Sequence, residues 1–344
     1  MKNVSLKLTL ILLCLCLVLG GCSNNPTGPS QNPTDNTGDG DGLKSGIDFE
    51  VLADEVIIAE TDVTFTDARG ETVTLQKHPG RVISIINSYT TLWYQAGGSI
   101  IGRLENESEL PPEALDPAVQ IVGATTSSVS MEALLTLEPD LVILRLSSGS
   151  NYIPQLEQNG VPVLAMEYNG FADYLKWLKI FTALNGTEEL YTAQGTDLLT
   201  EIDDIIAQIP DMDNPTVMFM FGTTSSVKAY LSNTAVGEMI KQMKAINIAD
   251  SWEDTTATSV EMNTEYLITA DPDYILVQCM GDPAKIEEYI NDVYGGEGWW
   301  KALSAVQNGR VVYLDRGLFH FKANNRYAEA YHELGKILYP DVFA

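Results

Sequence analysis

Thr187-Glu-Glu-Leu-Tyr-Thr-Ala-Gln-Gly-Thr-Asp-Leu-Leu-Thr-Glu-Ile-Asp-Asp-Ile-Ile-Ala-Gln-Ile-Pro210 reads as one long helix with unlike material on either side. Its apolar positions Leu190, Tyr191, Leu198, Ile202, Ile205, Ile206 and Ile209 recur at three, four and seven residues, the spacing that keeps one helical face apolar. Thr187 is placed to cap the start, Glu188 and Glu189 suit the positive end of the helix dipole, and Pro210 stops it. At 1.5 Å per residue such a helix spans about 34 Å, roughly the width of a small domain. It can therefore join two lobes as a stiff strut, or serve as an ordinary core helix; the flanks decide between these.

Before the strut, Asp62 to Leu75 alternates as two short strands around the turn Asp67-Ala-Arg-Gly70. Arg81-Val-Ile-Ser-Ile-Ile86 is a short apolar run of the buried parallel-strand kind, followed by Asn87-Ser-Tyr-Thr-Thr91 and a helical stretch closing at Gly97-Gly98. Ile100–Arg103, Val119–Val122, Leu141–Leu144 and Val161–Leu164 repeat the strand theme, with helix-like segments between several of them. Beyond the strut the pattern restarts. Strands are expected over Thr216–Phe221, Ala229–Leu231, Tyr274–Val277 and Val311–Leu314, and helices near Thr234–Ile246, Pro283–Val293 and Arg326–Leu338. Trp299-Trp300 is expected to pack rather than to bind.

An internal repeat supports two lobes. Met131-Glu-Ala-Leu-Leu-Thr-Leu-Glu-Pro-Asp-Leu-Val-Ile-Leu144 aligns without gaps to Thr264-Glu-Tyr-Leu-Ile-Thr-Ala-Asp-Pro-Asp-Tyr-Ile-Leu-Val277. Each copy reads as a short amphipathic helix, a Pro-Asp turn and a buried strand. The fold expected is α/β: two Rossmann-like lobes with mainly parallel sheets, residues 61–186 and 211–344, joined by the helix 187–210 with a ligand cleft between them.

The amino terminus is of another kind. Residues 1–21 carry Lys2 and Lys7, then an apolar run from Leu10 to Leu19 too short to span a bilayer comfortably, the make-up of an export signal. Leu19-Gly20-Gly21-Cys22 resembles a bacterial lipobox, which implies cleavage before Cys22 and lipidation of its thiol. Residues 22–60 follow as an acidic spacer; Ser23 to Gly46 is Asn, Pro, Thr, Gly and Asp with almost nothing to bury. Of the four cysteines, Cys14 and Cys16 leave with the signal, and Cys279 in the run Tyr274–Met280 reads as a buried small hydrophobe. The chain carries 20 Lys and Arg against 47 Asp and Glu, a formal net charge of −27. Such a surface argues against nucleic acid and anionic membrane as partners.

Loops after strand ends face the cleft in this architecture, which nominates Asn87, Ser88 and Tyr89; Arg145; Tyr168; Gly222 and Thr223; and Arg316-Gly-Leu-Phe-His-Phe-Lys322. Arg145 and Lys322 can hold the carboxylates or catecholates of a chelate, while Tyr89, Tyr168, Phe319 and Phe321 can pack flat on a macrocycle. His320 is the sharpest candidate, a possible axial ligand for haem or a corrinoid; a packing or surface role is the competing reading for each residue in the set. The three histidines, His78, His320 and His332, are dispersed, which weighs against a site for a bare metal ion built from imidazoles.

Thr66-Asp67-Ala-Arg-Gly70 with Val73-Thr-Leu75, Pro79-Gly-Arg-Val-Ile-Ser84, Gly97-Gly98 into Ile101-Gly102, Val122-Gly123, Ser130-Met-Glu132 with Leu137-Glu-Pro-Asp-Leu-Val-Ile143, and the closing Glu333–Phe343 occur in that order. In this the chain resembles the helix-linked solute-binding proteins of ABC importers, whose members deliver ferric siderophores, haem or cobalamin. The resemblance covers essentially everything from Asp62 onward. It implies a monomeric extracytoplasmic lipoprotein with no intrinsic cofactor, whose ligand is a chelate of iron or cobalt: a ferric siderophore first, cobalamin or haem next. It implies as partners an ABC permease and its ATPase, with one surface glutamate of each lobe, here Glu132 and Glu265, docking into permease arginines.

A lipid-anchored adhesin or sensor of the same fold, and a tethered hydrolase, are the rival classes. No Gly-x-Ser-x-Gly elbow, His-Glu-x-x-His, Gly-rich phosphate loop or Cys-x-x-Cys beyond the signal is found, so the chain is not read as an enzyme.

Overall fold

The computed structural model describes residues 56–210, 214–252 and 256–343. The expected export signal, Cys22 and the expected spacer up to residue 55 lie outside the described residues. The folded body begins earlier than the spacer reading placed it. Val56–Ile58 (β1) pairs antiparallel with Asp62–Thr66 (β2), which pairs with Thr72–Gln76 (β3). Val63 and Phe65 alternate inward on β2, and Phe65 meets the edge of Trp177. The turn between β2 and β3 is held by the Asp67 carboxylate, which accepts from the Arg69 amide and guanidinium, and by Gly70 in a left-handed conformation.

The first lobe is a five-stranded parallel sheet in the order β6-β5-β4-β7-β8. It comprises Val82–Ser84 (β4), helix α1 (Asn87–Gln95), Gly102–Leu104 (β5), Gln120–Gly123 (β6), helix α2 (Met131–Thr136), Leu141–Arg145 (β7), helix α3 (Ile153–Gln158) and Val163–Met166 (β8). Helix α4 (Phe171–Asn185) follows and stops at Gly186, which takes the left-handed conformation that only glycine adopts without cost.

The linking stretch is helical but not uniform. Thr187 does not cap it; its hydroxyl donates to the Ala96 carbonyl and so ties the junction to the first lobe. A turn at Glu189–Tyr191 passes through a π-helical turn, Thr192–Thr196, into helix α5 (Asp197–Ala207). Gly195 sits in the wide turn under the Tyr191 ring, where an added Cβ would stand 3.2 Å from the ring and require it to shift. Leu198, Ile202, Ile205, Ile206 and Ile209 are buried on the expected face, together with Leu199.

The second lobe has the order β12-β10-β9-β13-β14, with β11 also on β9. Its elements are Thr216–Thr223 (β9), Val227–Tyr230 (β10), helix α6 (Ala235–Gln242), Ile246–Asn247 (β11), Ser259–Val260 (β12), helix α7 (Thr264–Ala270), Tyr274–Met280 (β13), helix α8 (Pro283–Tyr294) and Val311–Tyr313 (β14). Only β10 runs antiparallel to its neighbours β9 and β12. The helix expected over Thr234–Ile246 is shorter, because Lys244 turns left-handed and lets Ile246 join the sheet. Helix α9 (Tyr327–Leu338) ends the fold, packed on α5.

Strand alternation divides the core. Val142 and Leu144 of β7 face an outer cluster in the first lobe, and Ile275 and Val277 of β13 an outer cluster in the second. Their neighbours Leu141, Ile143, Tyr274 and Leu276 face one central cluster shared with α4, α5 and α9. The two lobes thus grow from a common apolar centre built around the link. Cys279 is buried in β13, and burial pushes its thiol up to about 11. Trp300 is buried and Trp299 partly so, both against Tyr294.

The two copies of the repeat correspond down to single hydrogen bonds. Ser130 and Asn263 cap α2 and α7 by accepting from the Ala133 and Tyr266 amides. Thr136 and Thr269 donate to the carbonyls of Glu132 and Glu265. Glu138 and Asp271 both turn left-handed, with φ of 46° and 41°. Asp140 accepts from the amides of Gly80 and Arg81 at the entry to β4, and Asp273 from the amide and hydroxyl of Thr216 at the entry to β9.

Candidate functional site

The carboxyl ends of the central strands carry the expected ligand residues. Arg145, the last residue of β7, donates from Nε to Glu167 Oε2 at 3.0 Å. Glu167 also accepts the Ser147 amide at 2.7 Å. Burial pushes its carboxyl up, yet the Ser147 hydroxyl and amide and the Arg145 guanidinium outweigh that and hold it below the usual carboxylate range. The Arg145 charge is therefore already matched within the lobe.

Tyr168 follows Glu167 and lies stacked with Tyr89, ring centroids 6.2 Å apart. Both are enclosed, at 0% and 2% exposure, and Phe319 stands at 4%. These three rings form the floor beneath the cleft, so the expectation that they present flat faces to a macrocycle is corrected; each is held by core packing at the end of its element. The half-buried rings above are Phe221, stacked on Tyr230 at 4.6 Å, and Phe321.

Lys322 stands on that floor with Nζ 5.0 Å over the Tyr168 ring. Burial first, then the Arg145 charge, push its ammonium down to about 8 against the opposing pull of Asp173 and Glu167. His320 packs beside Phe221 and Phe321, centroids 6.1 and 5.2 Å away. Burial and the adjacent Arg316 and Lys322 charges lower its pKa, so the imidazole is neutral at pH 7. Its Nδ1 is buried, and no described residue bonds it.

Asn87 and Ser88 have structural ties. Asn87 Nδ2 donates to the carbonyls of Asn106 and Ser108, fixing the loop after β5, and the Ser88 carbonyl accepts from Asn324 across the crevice. Thr223, at the end of β9, pairs with Ser226 in the β9–β10 turn, and its hydroxyl is not among the groups gathered around Tyr168. Asn324 and Asn325 bridge to α1, the latter accepting from Gln95, and the crevice between α1 and residues 317–326 holds a cavity of about 60 Å³. A broader hollow of about 950 Å³ between α5 and α6 is lined by Ile206, Glu238, Lys241 and Lys244; it gathers neither the aromatic rings nor the buried cations.

Two groups escaped the sequence reading as site residues. Glu167 neutralises Arg145, and only the fold shows that the ends of β7 and β8 adjoin. Arg316 stood inside the nominated stretch but was not singled out; its guanidinium lies 5.1 Å over Phe321, and its buried Nε has no partner among the described residues. Glu132 and Glu265 are exposed on α2 and α7, and neither forms an ion pair among the described residues. No group of three or more His, Cys, Asp and Glu suited to a bare metal ion occurs among the described residues.

Comparison with known proteins follows this geometry. Residues 83–317 match the family described as periplasmic binding protein. The chain is 27% identical over 291 residues to an uncharacterised ABC transporter substrate-binding lipoprotein of Bacillus subtilis, YvrC, covering 82% of this chain and 87% of the relative. It is 24% identical over 328 residues to the Fe(3+)-citrate-binding protein YfmC of the same organism, covering 92% and 90%. Among solved structures, an ABC transporter substrate-binding protein from Listeria monocytogenes superposes with a TM-score of 0.66 at 24% identity, over 77% of this chain and all of that one. In its sequence and its two-lobed, helix-linked α/β fold, the chain belongs to the periplasmic binding protein family.

Proposed function

We propose that this chain is the extracytoplasmic substrate-binding protein of an ABC importer, tethered through Cys22, that captures a metal chelate and presents it to a membrane permease. The observation that carries the reading is end-to-end alignment, over 92% of this chain and 90% of its relative, with a protein named for binding ferric citrate. Other relatives are named for cobalamin, iron(3+)-hydroxamate and haem uptake. A ferric siderophore or related ferric chelate is the favoured cargo, with cobalamin or haem next; the iron or cobalt travels as part of the substrate. Nothing in the site favours the adhesin, sensor or hydrolase alternatives.

Glu132 and Glu265 are the proposed permease-docking residues. They sit at equivalent positions of the repeat, on equally capped helices, with their carboxylates free to meet fixed cations on a two-fold partner. Thermal unfolding against ferric citrate, a ferric tris-catecholate, a ferric trihydroxamate, haem and cobalamin tests the reading. A ligand binding only the native state at a thousand times its dissociation constant adds about 4 kcal/mol. An unchanged midpoint with every one of them would remove the proposed function.

A further inference from the structure

Gly170 and Glu238 meet across the two lobes. Gly170 is the residue before α4 in the first lobe, and Glu238 projects from the middle of α6 in the second. A Cβ built on Gly170 would stand 2.5 Å from Glu238 Oε2, and apart from the chain neighbours of Gly170 only atoms of Glu238 lie within 4 Å of that point. The backbone there is extended, with φ of −147°, a conformation open to other residues. What requires glycine is therefore the carboxyl group of the other lobe, lying against its Cα. Around this contact the rings of Phe171 and Tyr174 from α4 pack on Tyr327 from α9, at 4.9 and 5.6 Å.

The contact is electrically mixed. Helix α4 starts without a side-chain cap at Gly170, so its first amides leave partial positive charge where Glu238 arrives. Asp173, in the first turn of α4, sets a like charge nearby while accepting the Asn169 amide at 2.7 Å. Glu238 is half-buried; burial first, then Asp173, push its carboxyl above the ordinary glutamate value against the pull of Lys241 on its own helix. From α9, the Tyr327 and Tyr331 hydroxyls also face it, and α5 contributes Ile206 and Ala207 to the hollow that Glu238 lines. Gln242, one turn on, donates to Glu238 Oε1 at 3.4 Å and accepts from the Tyr331 hydroxyl. The hollow of about 950 Å³ gives the side chain somewhere to go if it leaves Gly170.

We propose that Glu238 is a positioning residue whose seating against Gly170 sets the spacing of the two lobes, and through it the width of the cleft and the separation of Glu132 and Glu265. The proposal deepens the importer reading and rests on it for its purpose, since that separation is what a permease would meet. Glu238 acts through α4 and not on the cargo. Seated, its carboxyl is enclosed between α4 and α6; with the lobes further apart, or with the side chain swung into the hollow, it regains water and its ordinary acidity. A group that binds its proton more tightly in one arrangement draws the equilibrium towards that arrangement when the proton binds. The lobes therefore settle on the seat as pH falls through the raised value, and loosen as pH rises and the carboxylate charge returns.

The test reads lobe spacing in the full chain, purified in detergent, with no ligand and no permease. Nitroxide labels on Glu132→Cys and Glu265→Cys are measured by pulsed electron resonance at about pH 7 and about pH 5, and the parent chain taken through the same labelling supplies the background. The doubly labelled chain should give a shorter and narrower distance distribution at the lower pH. Glu238→Gln keeps the shape without the charge, and should give that shorter distribution at both pH values. Gly170→Ala fills the seat with a methyl group and sends the carboxylate into the hollow, so it should give the longer, broader distribution at both. Combining the two should match Gly170→Ala alone, because both act on one contact. By urea unfolding, Glu238→Gln should have the higher midpoint at about pH 7 and converge with the wild type at about pH 5, the sign a raised carboxyl value dictates. Circular dichroism shows that each variant is folded. A wild-type distribution unmoved by pH, a Glu238→Gln chain that keeps the wild-type response, or a Gly170→Ala chain that matches Glu238→Gln overturns the proposal. Because no ligand takes part, each of those results leaves the importer reading standing, and failure of every chelate to bind would not move the distances.

Discussion

The two copies of the repeat are alike at their outer ends and unlike at their inner ends. On the outside, caps, threonine back-bonds, left-handed turns and Pro-Asp carboxylates coincide residue for residue. On the inside, Arg145 at the end of β7 engages Glu167, while its counterpart Gln278 in β13 is uncharged and donates to the Phe319 carbonyl. A repeated surface suits a partner with two-fold symmetry; an unrepeated interior suits a single, asymmetric ligand. Under the proposed function, the sameness serves docking and the difference serves ligand binding.

The largest expected effect breaks the outer symmetry. Replacing both Glu132 and Glu265 by alanine should lower uptake by about 100-fold or more, as buried charge pairs lost from an interface do, with ligand affinity of the isolated protein unchanged. The single variants should weaken uptake to similar degrees, and a change in affinity in either would remove the docking assignment.

Next is the inner asymmetry. Arg145→Gln should weaken a chelate that carries carboxylates or catecholates less than Lys322→Gln, since Arg145 already has an ion-pair partner and Lys322 has none among the described residues; titration of both variants with one ligand ranks them. Lys322→Met should also raise the stability of the ligand-free protein at pH 7 by about 1–3 kcal/mol, measured by urea unfolding. The sign follows from the depressed folded-state pKa. The unfolded chain holds the Lys322 proton more tightly, so the penalty is present in full below about pH 8 and is relieved as pH rises towards the ordinary lysine value. Wild-type stability should therefore gain on the variant through that window.

The smallest effect tests the outer equivalence. Asp140→Ala and Asp273→Ala each remove a carboxylate that accepts two donors at a strand entry, and each should cost about 1–2 kcal/mol by urea unfolding. Unequal costs would show that the copies are alike in geometry but not in load.

Much of this was legible in the sequence. The parallel strands follow from short continuous apolar runs, the repeat from a gapless alignment of two such units, and the apolar face of α5 from a period of 3.6 that packing leaves undisturbed. The π-helical turn at Thr192–Thr196 was not legible, because i to i+5 bonding leaves no compositional mark beyond Gly195. Strand β1 was hidden because only three residues of it pair, after a long polar run. At the site, residue type located the cations but not their partners. Glu167 meets Arg145 only because β7 and β8 lie side by side, and Tyr89, Tyr168 and Phe319 looked like ligand platforms until the fold placed them beneath the surface.

The residues after Lys322 have a mechanical consequence. Asn324, in a left-handed conformation with φ of 52°, donates to the Ser88 carbonyl, and Asn325 accepts from Gln95. The lobes are thus fastened twice, once by the link that Thr187 pins to Ala96 and once by this strap. A body fastened at one point can swivel freely; fastened at two, it turns only about the line between them. A force applied away from that line can therefore turn one lobe against the other only about a single axis, whereas a force applied at either fastening turns nothing.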